Sequence, residues 1–273
     1  MAKKRLDILL VDRGFADSRE KARALIMSGN VYTDNYLLDK PGIRIPEDIS
    51  VYIKETLPFV SRGGLKLDKA KSVFGIDFNG KTVLDIGAST GGFTDVALQN
   101  GAKKVLAVDV GKNQLHYSLT KDLRVVNLQK VNFRNIEFEH IGEKCDIIVC
   151  DVSFISLSMI IPKVILFCHE VTKVVFLIKP QFEAEKGEVG KNGVVRDINV
   201  HERVISKVIS IAEEFGLQFT GLAKSPIKGP KGNVEYLSYF MYGENINITD
   251  NVGKIIKRVV NDEEYSYCCK ASC

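Results

Sequence analysis

The 273-residue chain has no tryptophan, only seven prolines and four histidines, and no C-x-x-C pair among its six cysteines. Without cysteines at ligand spacing, ribbon- and finger-type zinc sites are excluded, and no metal is expected. Cys145, Cys150 and Cys168 fall in apolar surroundings, while Cys268, Cys269 and Cys273 crowd the tail. That trio reads as a frayed terminus rather than a weak metal or redox site. Long apolar runs are also missing: Pro162, Lys163 and Lys179 interrupt or close the longest stretches, against the roughly 20 residues that a bilayer span needs. No membrane partner is expected. The basic start leads into a segment carrying Asp7 and Asp12, acids that break a secretory leader, so a cytoplasmic location is expected. Neither sign of charge dominates, with 38 Lys and Arg against 34 Asp and Glu. Positive charge collects instead in residues 1–30 and 61–72, which suits a phosphate backbone, or else a solvated basic face.

What the chain does have is a run from Val83 to Thr94, VLDIGASTGGFT. An apolar strand delivers Asp85 into a small-residue turn, Gly87, Ala88, Ser89, Thr90, Gly91 and Gly92, which opens a helix at Phe93. Such a turn lets backbone N–H groups and a helix N-terminus close on a polar cofactor. The spacing departs from the dinucleotide fingerprint, because Ser89 stands where a second glycine would admit a pyrophosphate. With Asp85 ahead of the turn, S-adenosylmethionine fits better than NAD; a ligand-free tight turn is the alternative.

Apolar spacing changes from helical to alternating near Gly29. Leu6, Leu9 and Leu10 give one helical face; Asp17 as N-cap with Glu20 three residues on introduces a second helix that buries Ala22, Leu25 and Ile26. Val31–Thr33, a turn at Asp34 and Asn35, and Val51–Ile53 predict a small sheet. The boundary falls in the proline-containing connection before Arg62, giving domains 1–60 and 61–273. Beyond it, strands and helices alternate as in a doubly wound α/β sheet. Strands are predicted at 83–86, 105–110, 125–128, 147–150 and 174–178, a helix at 200–215, then strands 218–223 and 234–241 joined by a Gly/Pro turn. That closing antiparallel pair is typical of methyltransferases.

Ligands bind outside the carboxyl ends of parallel strands, so residues just past each strand are the candidates. Asp109, 24 residues past Asp85, suits both ribose hydroxyls of an adenosine cofactor, in NAD as well as S-adenosylmethionine. Asn132 either meets the adenine edge or caps its own backbone. Asp151 and Lys179 follow two apolar strands, and Glu235 opens the last; because that strand runs antiparallel, its start lies at the same edge. Lys66, on a helix leading into the sheet, reaches toward the same place. Two lysines and two acids make either a mutually satisfied buried network or a site that activates a hydroxyl, since a lysine brought toward its neutral form can act as a base.

Two resemblances follow from these residues. Arg5-Leu6-Asp7, Ser18-Arg19-Glu20, Ala22, Ile26, Gly29 and Val31 resemble the S4 RNA-binding domain, which implies Arg19 and Arg23, with Arg5 and Arg62, as RNA contacts. Together with SRGGLKL, DIGASTGGFTDVAL, DVSFISL, LIKPQFE and NVEYL, nearly the whole chain resembles the TlyA, or hemolysin A, family of rRNA 2′-O-methyltransferases with an FtsJ-like catalytic domain. The resemblance implies a Rossmann-like α/β methyltransferase sheet behind a small α+β S4 domain. It implies a catalytic tetrad at Lys66, Asp151, Lys179 and Glu235, with S-adenosylmethionine held by Asp85, Gly87 to Phe93, Asp109 and the edge at Asp151, to which the strand-end reading adds Asn132. The implied partner is ribosomal RNA or a ribosomal subunit, methylated on a cytidine 2′-hydroxyl; no oligomeric state is assigned. Some members carry an Arg- and Trp-containing tetrapeptide between the domains, where this chain has Leu57-Pro58-Phe59-Val60, so no gating role is carried over. A non-catalytic RNA-binding or assembly factor, an NAD-dependent enzyme and a haemolysin are the competing readings. The glycine-rich loop 186–193 is read as a flap beside the RNA site, or as an ordinary surface loop.

Overall fold

Successive residues of the central strands belong to different cores, and this alternation fixes what covers each face of the sheet. The computed structural model describes residues 3–27, 29–33, 36–53, 58–243 and 251–269, and divides into two units, Met1–Pro58 and Phe59–Cys273.

The second unit contains α3 (Gly63–Phe74), β5 (Thr82–Ile86), α4 (Gly92–Gln99), β6 (Lys104–Asp109), α5 (Tyr117–Thr120), β7 (Val125–Gln129), β8 (Cys145–Cys150), α6 (Ile161–Val164) and β9 (Cys168–Ile178). Then come α7 (Pro180–Glu183), α8 (Ile198–Glu214), β10 (Leu217–Lys224), β11 (Tyr236–Tyr242), α9 (Val252–Asn261) and β12 (Ser266–Cys268). One eight-stranded sheet runs β12-β10-β11-β9-β8-β5-β6-β7. Strands β5 to β9 are mutually parallel, and β11 enters antiparallel between β9 and β10. Leu84, Ile86, Ile148 and Phe176 face α8 and α9 through Val204, Val208, Ile256 and Val259. Their neighbours Val83, Ile147, Val149 and Val175 face α3 and α4 through Leu67, Phe74 and Val96. Buried on both faces, these strands read as continuous apolar runs.

The tail departs from the expected frayed terminus through Cys268 and Cys269: Cys268 pairs with Gly221 in β12, and the Cys269 amide donates to the Thr220 carbonyl at 2.7 Å. Edge pairing holds this segment to the sheet. Cys273 lies outside the described residues.

In the first unit, α1 (Leu6–Asp12) and α2 (Arg19–Met27) pack over two short antiparallel pairs, β1 (Lys3–Arg5) with β3 (Arg44–Pro46) and β2 (Val31–Tyr32) with β4 (Tyr52–Ile53). Leu6, Leu9, Leu10, Ala22 and Ile26 form the core with Val31, Leu38 and Ile45. Asp17 is not the cap of α2. The helix starts at Arg19, so Ser18 holds that position and its Oγ accepts the Lys21 amide at 3.2 Å; Asp17 pairs with the Lys21 ammonium at 2.7 Å. The turn expected at Asp34 and Asn35 lies outside the described residues.

Asp7 is buried in this unit and accepts Arg5 Nε at 3.0 Å and Nη2 at 2.9 Å, together with Arg19 Nη2 at 3.0 Å. The Arg5 hydrogen bonds hold its carboxyl well below the usual range. Asp7→Asn is therefore expected to destabilise the unit by about 1–3 kcal/mol, because a buried charge-assisted acceptor is lost while both guanidiniums can resolvate. A lowered urea midpoint for this unit checks it.

Candidate active site

Three glycines of the β5–α4 turn are required by the protein's own packing. A Cβ on Gly87, which has φ +82°, would sit 2.6 Å from the Asp151 carbonyl oxygen. One on Gly91, the left-handed N-cap of α4, would strike Leu119. At Gly92 it would collide with Ser61 Oγ and lie 2.7 Å from the Gly64 nitrogen. Close approach at Gly92 thus brings the start of α3 against the turn, and α3 carries Lys66.

The register of the sheet does the rest. Ile86 pairs with Cys150, Cys150 with Phe176, and Ile178 with Tyr236. Asp151, Lys179 and Glu235 therefore meet at one edge, although Glu235 lies 84 positions past Asp151. Lys179 is held extended, at φ −113° and ψ 99°, before Pro180.

Lys66 Nζ donates to Glu235 Oε2 at 2.7 Å and lies 3.5 Å from Asp151 Oδ2. Lys179 Nζ lies 2.6 Å from Asp151 Oδ1 and donates to Ser153 Oγ at 2.8 Å. Gln181 Nε2 reaches Glu235 Oε1 at 3.4 Å. Two cations and two anions thus alternate in one chain, all with side chains mostly withdrawn from water. Lysine has three N–H donors, so Lys179, with two engaged in these contacts, retains one for an incoming oxygen.

Asp85 is buried beside this chain. Thr94 Oγ1 donates to its Oδ2 at 2.6 Å, whereas Oδ1 is buried with no partner among the described residues. Burial pushes its carboxyl up to about 7; the Thr94 bond opposes this and the charges of Asp151 and Asp109 add to it.

Lys66, Asp151, Lys179 and Glu235 line one cavity of about 640 Å³ with Asp85, Gly87, Ala88, Ser89, Thr90, Gly92, Phe93 and Arg62. Three expected cofactor residues lie outside its wall. Gly91 packs behind the turn. Asp109 accepts the Ser89 amide at 2.8 Å and the Gly111 amide at 2.7 Å, and Asn132 Oδ1 caps the Arg134 amide at 3.1 Å. Of the expected RNA contacts in the first unit, Arg23 is exposed and Arg5 and Arg19 are shared with Asp7.

Sequence reasoning missed Ser153, Phe154, Gln181, Phe182 and Asn233, all in the cavity wall. Phe154 is 90 % exposed with φ +63°, and its ring stands 5.0 Å from that of Phe182. An exposed aromatic in a strained backbone needs a reason, and a functional wall is one. Ser153 and Gln181, each two positions past a tetrad member, carried the only available signal. The 186–193 loop contributes Val189 and Gly193 to the wall. It is tied down by a Glu188–Arg203 ion pair and by Asn233 Nδ2 donating to the Gly193 carbonyl at 2.8 Å.

Comparison with known proteins gives two family matches, an FtsJ-like methyltransferase over residues 59–242 and an S4 domain over residues 4–48. A candidate rRNA methyltransferase of Bacillus subtilis, YqxC, is 45% identical over 95% of this chain and 94% of its own length. The 16S/23S rRNA (cytidine-2′-O)-methyltransferase TlyA of Mycobacterium tuberculosis is 43% identical over 85% of this chain and 87% of its own. Among solved structures, a candidate hemolysin of Streptococcus thermophilus is 42% identical, covers 96% of each chain and superposes with a TM-score of 0.73.

Proposed function

The chain belongs to the TlyA family of FtsJ-like methyltransferases, and from that premise we propose that it methylates the 2′-hydroxyl of a cytidine in ribosomal RNA, with S-adenosylmethionine as donor. The observation that carries this reading is the Lys66–Glu235, Lys66–Asp151 and Lys179–Asp151 chain beside the unpartnered Asp85 oxygen. A dinucleotide dehydrogenase needs no such pair of lysines. Among the described residues no helix is long and apolar enough to cross a membrane, and α9 commits Ile255, Ile256, Val259 and Val260 to the sheet's core.

The residues present fit the donor. Asp85 Oδ1 is an acceptor awaiting a cationic donor, suited to the cofactor's ammonium. Asp109 has a lone pair left on each oxygen for ribose hydroxyls, and Asn132 keeps its NH₂ for the adenine edge. When bound, S-adenosylmethionine supplies a methyl group on a positively charged sulfur. The chain's own residues must then hold the acceptor and remove its proton. Lys179 takes the 2′-oxygen on its remaining donor position, aligning a lone pair, while Asp151 fixes the lysine. All three ammonium hydrogens of Lys179 are then committed, so the hydroxyl proton passes to the Asp151 carboxylate as the C–O bond forms and the C–S bond breaks. Lys66 and Glu235 orient Asp151 and the ribose from the opposite side. Phe154 offers a flat face for the base, since stacking is how unpaired bases are usually held. The S4 domain, with Arg23 and the free edges of Arg5 and Arg19, docks the RNA, and Arg62 stands at the cavity rim. Such a division of labour is consistent with a cytoplasmic protein acting on ribosomes.

Labelled methyl transfer to naked rRNA and to separated subunits, with the product nucleotide mapped by mass spectrometry, tests this. A 2′-O-methylcytidine is expected; no transfer to any RNA would favour a non-catalytic RNA-binding factor.

A further inference from the structure

Beside the catalytic cavity lies a second, open one of about 430 Å³ that shares Lys228 and Lys231 with it. Its other charged walls are Arg196, Lys224 and Glu263. Glu263 is answered by Lys224, 3.2 Å away, whose Nζ also donates to the Val260 carbonyl at 3.3 Å. Arg196, Lys228 and Lys231 make no ion pair with a described residue, so with Glu263 matched by Lys224 three positive charges on one concave surface are left without a partner among the described residues. Gathering like charges this way is unfavourable unless something negative occupies the space.

The backbone that carries these exposed cations is also held in place. The Gly229 amide donates to the Asn233 carbonyl at 2.9 Å and the Gly232 amide to the Gly229 carbonyl at 2.8 Å, closing the turn that bears both lysines. The buried Asn233 side chain then ties that turn to the segment bearing Arg196, accepting the Val195 amide at 3.0 Å and donating to the Gly193 carbonyl at 2.8 Å. Beneath, His201 is fixed between the Tyr236 hydroxyl, 2.8 Å from Nδ1, and the Val195 carbonyl, 3.0 Å from Nε2. A solvated lysine face needs no such clamp.

We infer that this second cavity docks phosphodiester groups of the RNA strand next to the target nucleotide, with Arg196, Lys228 and Lys231 as the phosphate ligands. Strand docking here rests on the RNA reading of the catalytic site. Because Lys228 and Lys231 face both cavities, a strand whose ribose enters the first has the second directly beside it.

The test uses the full chain and an end-labelled fragment of the rRNA it methylates. The triple variant Arg196→Gln, Lys228→Gln, Lys231→Gln is expected to bind that RNA at least about tenfold more weakly in moderate salt. Its plot of log affinity against log salt should be shallower by about 2 to 3, at about 0.7–0.9 for each phosphate no longer neutralised. The melting temperature reports that the fold is intact. Unchanged RNA affinity and salt slope in the folded triple variant would overturn the inference and leave the methyltransferase reading standing. If the unaltered protein binds no RNA, both fall together. Titration with inorganic phosphate alone separates the remaining source: stabilisation that the triple variant loses, with RNA binding unmoved, would assign the cavity to a free anion and overturn strand docking.

Discussion

Replacing Lys179 by methionine is expected to lower the rate of methyl transfer at saturating substrates by about 10³-fold, at the upper end of the 10²–10³ lost with one preorganised donor at a reacting oxygen. Lys179 Nζ is fixed at 2.6 Å from Asp151 and 2.8 Å from Ser153, so its last donor position is aimed rather than mobile, and in the proposed reaction a ribose oxygen held there would be aligned for in-line attack. Methionine keeps most of the stem and fills the space against Phe182, whose ring lies 5.9 Å from Nζ. It leaves Asp151 with Lys66 alone at 3.5 Å, so some stability is lost and the rates are compared on protein that a thermal melt shows to be folded. Lys179→Arg should not rescue, because a planar fork presents its donors in a different geometry from a single ammonium. Ser153→Ala, which removes one restraint on the ammonium, should slow transfer far less, about tenfold or under. Single-turnover rates with labelled donor decide the matter: full activity in Lys179→Met would remove the lysine from the chemistry and reduce the tetrad to a buried ion network.

The parts of this site that could be read from sequence are those where a charge interrupts a run that burial explains. Asp151 and Lys179 each follow an apolar run, 147–150 and 174–178, and the antiparallel direction of the last strand was enough to bring Glu235 to the same edge. Lys66 was harder, since a lysine on an amphipathic helix has many reasons to exist; its place depends on Gly92 letting the start of α3 approach the turn. The glycines themselves were legible as a turn but not in their roles. Gly91 and Gly92 serve packing, and only the three-dimensional neighbours of their missing Cβ atoms show this. Asp109 stood where expected, at the end of β6, yet its carboxylate first satisfies two backbone amides, a local demand that spacing does not reveal. Phe154 was invisible because its left-handed backbone and its exposure are set by the loop after β8. The edge strand β12 has only three residues and alternates no apolar pattern, and β3 is no longer. Elements that short are defined by their partners.

Binding of S-adenosylmethionine is expected to tighten by about an order of magnitude as pH rises from about 5.5 to 7. Asp85, raised by burial to about 7, is ionised in only about 3% of molecules at pH 5.5 and in half at pH 7, and the cofactor's ammonium needs the ionised form. The window lies below about 7.7, where an α-amino group itself starts to titrate, so the enzyme and not the ligand sets the slope. Stability of the free protein should move the opposite way. Between its ordinary value near 3.8 and about 7, the folded chain keeps a proton on Asp85 that the unfolded chain has released. Stability therefore falls as pH rises through that window. Asp85→Asn separates the two effects: it should weaken cofactor binding by about 10- to 100-fold through loss of a charged hydrogen bond, flatten the pH dependence of what binding remains, and remove the pH-linked loss of stability in the free protein. Calorimetric titration at three pH values, with thermal melts of both proteins in the same buffers, measures all three. A dissociation constant for the unaltered protein that stays level between pH 5.5 and 7 would mean that the unpartnered Asp85 oxygen does not meet the cofactor's cation, whatever else it does beneath the turn.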